Sequence, residues 1–294
     1  MNILILHNAY QLRGGEETVV AAEAELLRGA GHNVHTEIVS NAEISGPLKK
    51  ARVFFSTPYD IRRKLWVREL VGRVKPDLVH IHNFFPLLTP AVHEALTEIG
   101  LPVVQTLHNY RLLCAGAQFL REGKVCEKCL HGSRAWGVVH RCYKNSLPGS
   151  LALVMMQERS FRQETWSRHV HRFIALTEFS RQKMIEGGLP SDRIMIKPNF
   201  SADSRQKSAA RAGALYVGRL SREKGVASLI SAWKDIPYIP LTIVGDGPER
   251  ARLERAAPEN VQFVGEVPAD EVGQLMSRAN CLVMPSVWYE TFGL

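Results

Sequence analysis

Three absences narrow the function of this chain of 294 residues. No run of about eighteen apolar residues occurs, so we expect no transmembrane helix. The first residues, MNILILHNAY, lack the basic segment and the cleavage site of a signal peptide, and we therefore expect a cytoplasmic protein. Neither a G-x-x-x-x-G-K-[ST] loop nor a complete G-x-G-x-x-G fingerprint is present, which disfavours an ATPase and an NAD-dependent enzyme.

Acidic residues are outnumbered, since 29 Asp and Glu against 37 Lys and Arg give a net charge of +8. This excess favours anionic partners such as nucleic acid, an anionic membrane surface or phosphorylated small molecules. A basic surface without a specific partner explains it equally well. The 45% of hydrophobic residues and the length together suit two domains, each with its own core.

Residues 1–200 alternate short apolar runs with longer amphipathic ones, which predicts a parallel α/β sheet covered on both faces. The clearest helix is Glu16–Ala30, with acidic residues at its start and Gly31 as its stop. The predicted strands of this first domain are Asn2–Leu6, Val34–Val39, Asp77–Ile81, Pro102–Leu107, Arg172–Leu176 and Ile194–Lys197.

A small, polar segment at 201–212, SADSRQKSAARA, is predicted to be an interdomain linker. The alternation resumes over 213–294 and predicts a second α/β domain with only four strands, fewer than this type usually has. Its predicted strands are Ala214–Val217, Pro240–Val244, Val261–Val264 and Cys281–Met284, and its predicted helices are Val226–Trp233, one from Glu249, and Ala269–Arg278. We expect Cys281 to lie in the core.

Three predicted strands of the first domain are each followed directly by a histidine and an asparagine. Ligands of parallel sheets bind beyond the carboxyl ends of the strands, so these side chains are candidates for hydrogen bonding a polyol acceptor. His and Asn also form ordinary turns at strand ends, but three such endings favour a functional role. The candidate acceptor-side residues are His7, Asn8, His82, Asn83, His108 and Asn109. His80, on the same strand as His82, is predicted to be a packing residue.

Two segments have the chemistry for binding phosphate. Gly14 and Gly15 open the first helix, where backbone N–H groups can approach an anion. In the second domain, YVGRLSREKGV places Arg219 and Lys224 near the carboxyl end of a strand, where they can converge on a diphosphate. Elsewhere on a surface such residues would be ordinary solvated cations, so their position favours binding.

Four motifs of the second half resemble those of family 4 retaining glycosyltransferases. They occur in the order VGRLSREKG, LTIVGDGPER, VQFVGEVPADEV and MPSVWYETFGL. The first half fits more loosely, through the Gly-Gly loop, QTLHN, ALTEFSRQKM and KPNFSAD. The resemblance implies the GT-B fold, an α/β architecture of two Rossmann-like domains facing a cleft, and a nucleotide-sugar donor.

The resemblance also implies roles for individual residues. Arg219 and Lys224 would hold the donor diphosphate and stabilise its growing charge, so that catalysis needs no metal or other cofactor. Glu290 would face the donor sugar, and His108 would contact the transferred sugar. The anomeric configuration would be retained. Further donor-binding residues are expected to be Gly15, Gly218, Gly245, Gly265, Glu266, Val267, Phe292, Gly293 and Leu294.

One departure from the family pattern concerns its E-x₇-E motif. The second Glu would be the eighth residue after Glu290, beyond Leu294. We therefore expect the second domain to be incomplete at its carboxyl end, and this fragment to be impaired in donor binding and activity.

Four cysteines fall within an insertion at 114–142, with the spacing C-x₁₁-C-x₂-C-x₁₂-C. Such a set can form a structural zinc site, although the spacing is not a standard one and four unligated thiols are an alternative. Disulfides are not expected in the cytoplasm. The candidate ligands are Cys114, Cys126, Cys129 and Cys142. The insertion follows His108 and is expected to form part of the acceptor side.

The segment 48–70 combines basic and aromatic residues, which suits peripheral contact with an anionic membrane, as expected for a lipid-linked acceptor. A solvated helix face is an equal alternative. The residues are Lys49, Lys50, Arg52, Phe54, Phe55, Tyr59, Arg62, Arg63, Lys64, Trp66 and Arg68.

Two other functions stay open at this point. A nucleotide-sugar epimerase can share the architecture, and a zinc-containing nucleic-acid binder would explain the cysteines and the charge, but not Arg219, Lys224 or ETFGL. We expect no nucleic-acid partner. The resemblance favours transfer to a glycan or lipid-linked acceptor, in a setting such as bacterial polysaccharide biosynthesis.

Overall fold

The computed structural model of the chain describes residues 1–10, 14–200 and 211–293. By their contacts these residues form two compact units. The first unit draws on Met1–Phe119, Cys126–Ser201 and Thr291–Leu294, and the second unit on Leu120–Val125 and Ala202–Glu290.

A six-stranded sheet, all of whose neighbouring strands are parallel, forms the centre of the first unit, in the order β2-β1-β3-β4-β7-β8. Its strands are β1 Asn2–Ala9, β2 Asn33–Ser40, β3 Leu78–Asn83, β4 Val103–Leu107, β7 Arg172–Ala175 and β8 Ile194–Ile196. The run Ile3–Leu6 in β1 is wholly buried, as expected where helices cover both faces of a parallel sheet.

Helices connect these strands. They are α1 Gly15–Gly29, α2 Gly46–Ser56, α3 Ile61–Val74, α4 Ala91–Glu98, α5 Trp136–Val139, α6 Leu147–Arg162, α7 Thr165–His169 and α8 Glu178–Glu186. Helix α1 begins where Glu17 accepts a hydrogen bond from the Gly14 N–H, at 2.8 Å, and two acidic residues in its first turn suit the positive end of the helix dipole. It ends just before Gly31, whose φ of +85° favours glycine.

The second unit has a four-stranded parallel sheet in the order β11-β10-β9-β12. Its strands are β9 Ala214–Val217, β10 Leu241–Val244, β11 Val261–Gly265 and β12 Cys281–Leu282, and its helices are α9 Val226–Trp233, α10 Arg250–Ala256 and α11 Ala269–Arg278. Leu229, Ile230 and Trp233 of α9 pack on Ile243 in a buried cluster. A short antiparallel pair, β5 Leu120–Arg121 and β6 Lys124–Val125, groups with this unit by its contacts.

The predicted α/β class with two parallel sheets is confirmed, and most of the predicted strands agree with the structure within two residues. The contact-based units differ from the predicted division because 120–125 groups with the second unit and 291–294 with the first. The prediction for Cys281 is wrong, because β12 is an edge strand and leaves this thiol exposed. Residues 201–210 of the predicted linker lie outside the described residues.

No helix within the described ranges is both long and apolar enough to cross a membrane.

Candidate functional site

The strand order of the first unit locates its ligand-binding edge. The chain reverses direction across the sheet at β1, between β2 and β3, and ligands bind beyond the carboxyl ends of the strands at such a switch point. His7 lies near the carboxyl end of β1, His82 near that of β3, and His108 directly follows β4. The sheet therefore brings together three histidines that are far apart in the sequence.

These histidines form a buried cluster. His82 Nδ1 lies 2.9 Å from His108 Nε2, and the ring of His7 meets that of His82 edge to face at 6.5 Å between centroids. Burial is the main reason why the pKa of His82 is lowered to about 3 and the pKa of His108 lies well below its usual value. These two imidazoles are therefore neutral near pH 7, and each offers one N–H and one lone pair.

Two of the predicted acceptor-side residues, Asn8 and Asn83, make hydrogen bonds within the protein, and their role towards an acceptor stays a prediction. Asn8 donates to Asn41 Oδ1 at 2.9 Å and accepts from the Leu87 N–H at 2.8 Å. Asn83 donates to the Asn8 carbonyl at 2.7 Å and accepts from the Phe85 N–H at 3.0 Å. Both are buried, because β1 and β3 continue through the positions where the sequence predicted them to end.

Asn109 is also engaged within the protein. Its amide donates to Glu16 Oε1 at 3.0 Å and its oxygen accepts from the Arg111 N–H. Glu16 also accepts from the Tyr10 hydroxyl at 3.2 Å, and burial is the main cause that raises the pKa of Glu16. This carboxyl group lies at the start of α1, next to the predicted anion-binding glycines.

The start of α1 already carries an anion of its own. Glu17 accepts from the Gly14 N–H at 2.8 Å and the Tyr10 N–H at 3.1 Å, and lies 3.6 Å from His7 Nε2. Burial alone would raise the pKa of Glu17, but these hydrogen bonds lower it to about 2. A phosphate approaching Gly15 would therefore have to share this helix end with a carboxylate.

In the second unit two of the charged candidates, Lys224 and Glu290, meet at the equivalent switch point, where β9 lies between β10 and β12. The Lys224 ammonium contacts both carboxylate oxygens of Glu290, at 2.9 and 3.1 Å. Ser286 and Trp288 also donate to Glu290, at 2.8 and 3.1 Å. The Lys224 and Glu290 side chains are 27% and 19% exposed, so an anion can reach the lysine. Arg219 is exposed.

Two glycines permit the close approach of backbone that builds this switch point. Gly225 has φ +68°, and a Cβ there would lie 1.9 Å from the Pro285 carbonyl oxygen. Gly245 has φ +124°, and a Cβ there would lie 2.1 Å from the Gly218 carbonyl oxygen. No other residue fits either position without moving the backbone, which explains the glycines in REKG and GDG.

The remaining predicted donor residues divide between the units. Gly265 ends β11, and Glu266 and Val267 follow it in the loop before α11. Phe292 and Gly293 group with the first unit, where Thr291 donates to the His108 carbonyl at 2.7 Å. Leu294 lies outside the described residues.

The four cysteines of the insertion lie close together without forming a compact ligand set. Burial, followed by the neighbouring thiols of Cys114 and Cys142, raises the pKa of Cys129 to about 12. In the described part of the chain, the metal-ligating atoms that lie within 4.8 Å of one another belong to Glu23, His80 and His82 instead. The cysteine zinc site stays a prediction.

Sequence reasoning missed two residues beside the histidines. Glu23 Oε2 of α1 lies 3.1 Å from His82 Nε2, and the other oxygen of Glu23 contacts the Lys197 ammonium. Glu23 looks like one more solvated acid in a helix, and Lys197 follows a strand 174 residues further on. His80, as predicted, is a buried packing residue whose Nε2 lies 2.8 Å from Thr106 Oγ1.

The basic side chains of helices α2 and α3 differ in whether they are paired with acidic residues. In α3, cations are held by acids: Arg62 by Asp60, Lys64 by Glu94 and Glu98, and Arg68 by Glu98. In α2 the basic and apolar side chains are exposed together, with Leu48 at 86% and Phe55 at 78%. The exposed cations of α2 are Lys49, Lys50 and Arg52.

Comparison with known families accounts for nearly the whole chain. Residues 13–201 match the model of Glycosyltransferase Family 4, and residues 201–294 match that of the glycosyl transferases group 1.

Two relatives and one solved structure match most of this chain. An uncharacterized 42.6 kDa protein of the cps region of Klebsiella pneumoniae is 23% identical over all of this chain and 81% of its own length. The 2-deoxystreptamine N-acetyl-D-glucosaminyltransferase of Streptomyces fradiae is 32% identical over 74% of this chain and 51% of its own. Among solved structures, Anabaena HepE in complex with UDP-glucose matches 99% of this chain and 76% of its own, with a TM-score of 0.63 at 17% identity. This last likeness supports the two-unit GT-B fold.

Proposed function

Because the chain belongs to Glycosyltransferase Family 4 and is thus a nucleotide-sugar glycosyltransferase, we propose that it transfers a sugar to a hydroxyl group of a glycan or lipid-linked acceptor with retention of configuration. The bond from the anomeric carbon to the donor phosphate oxygen breaks, and the bond to the acceptor oxygen forms on the same face. The leaving phosphate takes the acceptor proton. His108 contacts the transferred sugar.

The pairing of Lys224 with Glu290 at the second switch point is the observation that carries this proposal. Glu290 holds the lysine in place through both oxygens, and the lysine keeps enough exposure to meet a second anion. An ammonium can contact a carboxylate and a diphosphate together, since it has three donors. Arg219, at the end of β9, would supply a planar fork for the same diphosphate.

These two cations would stabilise the negative charge that grows on the diphosphate as the sugar leaves. Such preorganised charge does the work that Mg²⁺ does in other transferases, so the proposed reaction needs no metal.

The identity of the donor sugar nucleotide is the first property to determine. Thermal-shift screening against UDP-, GDP- and ADP-sugars should show stabilisation by at least one of them, and UDP-glucose comes first because HepE is solved with it. Transfer should then be followed by NMR with saccharide acceptors, and an α-linked donor should give an α-linked product. An inverted product, or an epimerised sugar formed without an acceptor, would contradict the proposal.

The exposed face of α2 supports a peripheral contact with anionic lipid, and with it a lipid-linked acceptor at the inner face of the membrane. Lys49, Lys50 and Arg52 are exposed beside Leu48 and Phe55, which together suit headgroups and the upper acyl chains. Binding to vesicles that contain anionic lipid, and not to neutral vesicles, is the expected result.

A further inference from the structure

Two histidines of β3 and one glutamate of α1 lie together in the interior of the first unit. His80 and His82 are two positions apart in the strand, so their side chains lie on the same face of the sheet. Glu23 Oε2 lies 3.1 Å from His82 Nε2 and 3.7 Å from His80 Nδ1. All three residues are buried. The fold therefore brings two imidazoles and one carboxylate to a single buried point.

Hydrogen bonding does not account for this arrangement. Among the residues that the structure describes, Glu23 Oε2 and His82 Nε2 are buried atoms without a hydrogen-bond partner. Leaving a buried polar atom unpaired costs the folded state free energy, and a charged atom costs more. Bound ions and ordered water explain such atoms in native proteins. Two of them side by side indicate a bound group that both of them contact.

The distances suit a metal ion as that group. The donor atoms of Glu23, His80 and His82 lie within 4.8 Å of one another. Nitrogen and oxygen ligands lie about 2.0–2.2 Å from zinc, so two ligands of a tetrahedral ion are roughly 3.3 Å apart. The separations of 3.1 and 3.7 Å from Glu23 Oε2 are close to that value. Two histidines and a glutamate, with water in the fourth position, are also an established zinc ligand set.

The other nitrogen of each ring already has a partner. His80 Nε2 lies 2.8 Å from Thr106 Oγ1, and His82 Nδ1 lies 2.9 Å from His108 Nε2. A hydroxyl oxygen and an imidazole nitrogen can each accept an N–H, which leaves the lone pair of the opposite ring nitrogen on the side of Glu23. Histidines that bind metals almost always donate their other N–H to an acceptor. Both rings are therefore oriented as metal ligands would be.

Lys197 is a cation that already contacts Glu23. Its ammonium contacts the other carboxylate oxygen, Oε1, and its side chain is 39% exposed. Oε2 therefore remains available on the side of the histidines. A carboxylate that binds a metal through one oxygen is itself hydrogen-bonded, and solvent screens the charge of a partly exposed lysine. The contact with Lys197 is thus compatible with an ion at Oε2 and orients the carboxylate.

We propose that Glu23, His80 and His82 bind one Zn²⁺ ion, with water as the fourth ligand, and that this ion joins α1 to β3. The ion stabilises the fold because it binds the folded chain in preference to the unfolded one. It takes no part in sugar transfer, so the metal-free reaction proposed above is unchanged. Metal binding is measured without donor or acceptor, and its failure is therefore distinguishable from a failure of the proposed function.

Titration with Co²⁺, a coloured substitute for Zn²⁺, tests the site in protein from which metal has been removed with a chelator. We expect the visible absorption of a tetrahedral nitrogen and oxygen site, which added Zn²⁺ abolishes. Glu23→Gln and His82→Gln should each weaken Co²⁺ binding by at least about 100-fold, since the loss of an outer partner alone costs about 10- to 100-fold. Glu94→Gln, which removes another ion-paired carboxylate of this unit, should bind Co²⁺ like the wild type.

The four cysteines are the competing site for the same metals. Sulfur ligands add an intense charge-transfer absorption that nitrogen and oxygen ligands lack, so the two sites differ in their spectra. Cys126→Ser should therefore leave the absorption of the Glu23 site unchanged. If all Co²⁺ absorption shows sulfur ligands and disappears in Cys126→Ser, the proposal is overturned.

Spectra of protein labelled with ¹⁵N on histidine give a test that does not depend on whether the variants fold. On addition of Zn²⁺ the ring signals of His80 and His82 should shift, with the remaining proton on Nε2 of His80 and on Nδ1 of His82. His93, whose Nε2 lies 2.9 Å from Gln105 Oε1, should not change. Unshifted signals of His80 and His82, or full Co²⁺ binding by folded Glu23→Gln and His82→Gln, would also overturn the proposal.

Discussion

The two units place polar side chains at the same topological position but use them differently. In the first unit, His82, Asn83 and their neighbours are buried, and most of their hydrogen bonds are made within the protein. In the second unit, Lys224 and Glu290 are partly exposed, and Arg219 reaches solvent. A buried neutral group gains fixed geometry, whereas an exposed charge can exchange its partner for a ligand.

This difference predicts whether a substitution changes mainly the stability of the fold or mainly ligand binding. Removing a buried amide leaves its partners without hydrogen bonds in a dry interior, so the cost falls on folding. Removing a partly exposed cation costs the fold little, because its carboxylate partner keeps other donors and meets water. Substitutions in the first unit should therefore be felt mainly as stability, and those in the second unit mainly as donor affinity and turnover.

Lys224→Ala should produce the largest effect. Without the ammonium, the growing diphosphate charge loses a preorganised partner, and kcat/KM should fall by about 100-fold or more, equivalent to about 2.7 kcal/mol. Glu290 keeps its hydrogen bonds from Ser286 and Trp288, so the free energy of unfolding should change by less than about 0.5 kcal/mol. Steady-state kinetics and urea unfolding measure the two quantities.

Arg222→Ala is the matched control, since the side chain of this neighbouring cation is 90% exposed and lies 3.7 Å from Glu249. It should leave turnover unchanged. An equal loss in both variants would mean that general positive charge, rather than the position of Lys224, matters.

Asn83→Ala tests the other side of the comparison. The substitution leaves the Asn8 carbonyl and the Phe85 N–H without their hydrogen-bond partner in a buried region. This loss should lower the free energy of unfolding by roughly 2–3 kcal/mol. Asn33→Ala removes an exposed asparagine that bonds Asn2 at 3.2 Å and should cost less than about 0.5 kcal/mol. If Asn83→Ala folds normally but loses only acceptor affinity, the amide is a ligand group after all.

Much of this arrangement could be predicted from the sequence. Apolar runs gave the strands, and the carboxyl ends of those strands gave the candidate positions, because chain order and sheet position are linked in parallel folds. Lys224 was a candidate from its position near a strand end as well as by resemblance, and Glu290 was a candidate by resemblance alone. Their direct contact was not foreseen, since 66 residues separate them.

What the sequence did not predict depends on burial and on distant pairing. Strand β1 runs to Ala9 rather than Leu6, and those three residues decide whether His7 and Asn8 face a ligand or the interior. Glu23 could not be distinguished from the other acids of α1, because the residues that it contacts, Lys197 and His82, lie far from it in the sequence.

Glu17 offers a smaller effect that depends on pH. Its pKa in the folded state is about 2, below the usual value of about 4.3. The carboxylate therefore contributes stability that is fully present above about pH 5 and is lost as the pH falls towards 2. Glu17→Gln should cost about 1–2 kcal/mol near pH 7, with allowance for solvent screening, and close to nothing at about pH 2.

Unfolding by urea across this pH range measures the difference directly. Glu25→Gln, an exposed position on the same helix, should show no such pH dependence. If the free energies of unfolding of the wild type and Glu17→Gln differed by the same amount at every pH, the charge of this carboxylate would not stabilise the start of α1.

The smallest effect is expected on the outer face of α2. Lys50→Gln should weaken binding to vesicles containing anionic lipid by about fivefold, since one lysine near such a surface contributes about 1 kcal/mol. Lys234→Gln, an exposed lysine of the second unit with the same change in net charge, should have no measurable effect. Equal weakening by both would mean that the membrane contact depends only on overall charge. A loss confined to Lys50 would assign the contact to α2, because Lys64 and Arg68 of α3 are paired with Glu94 and Glu98 of α4.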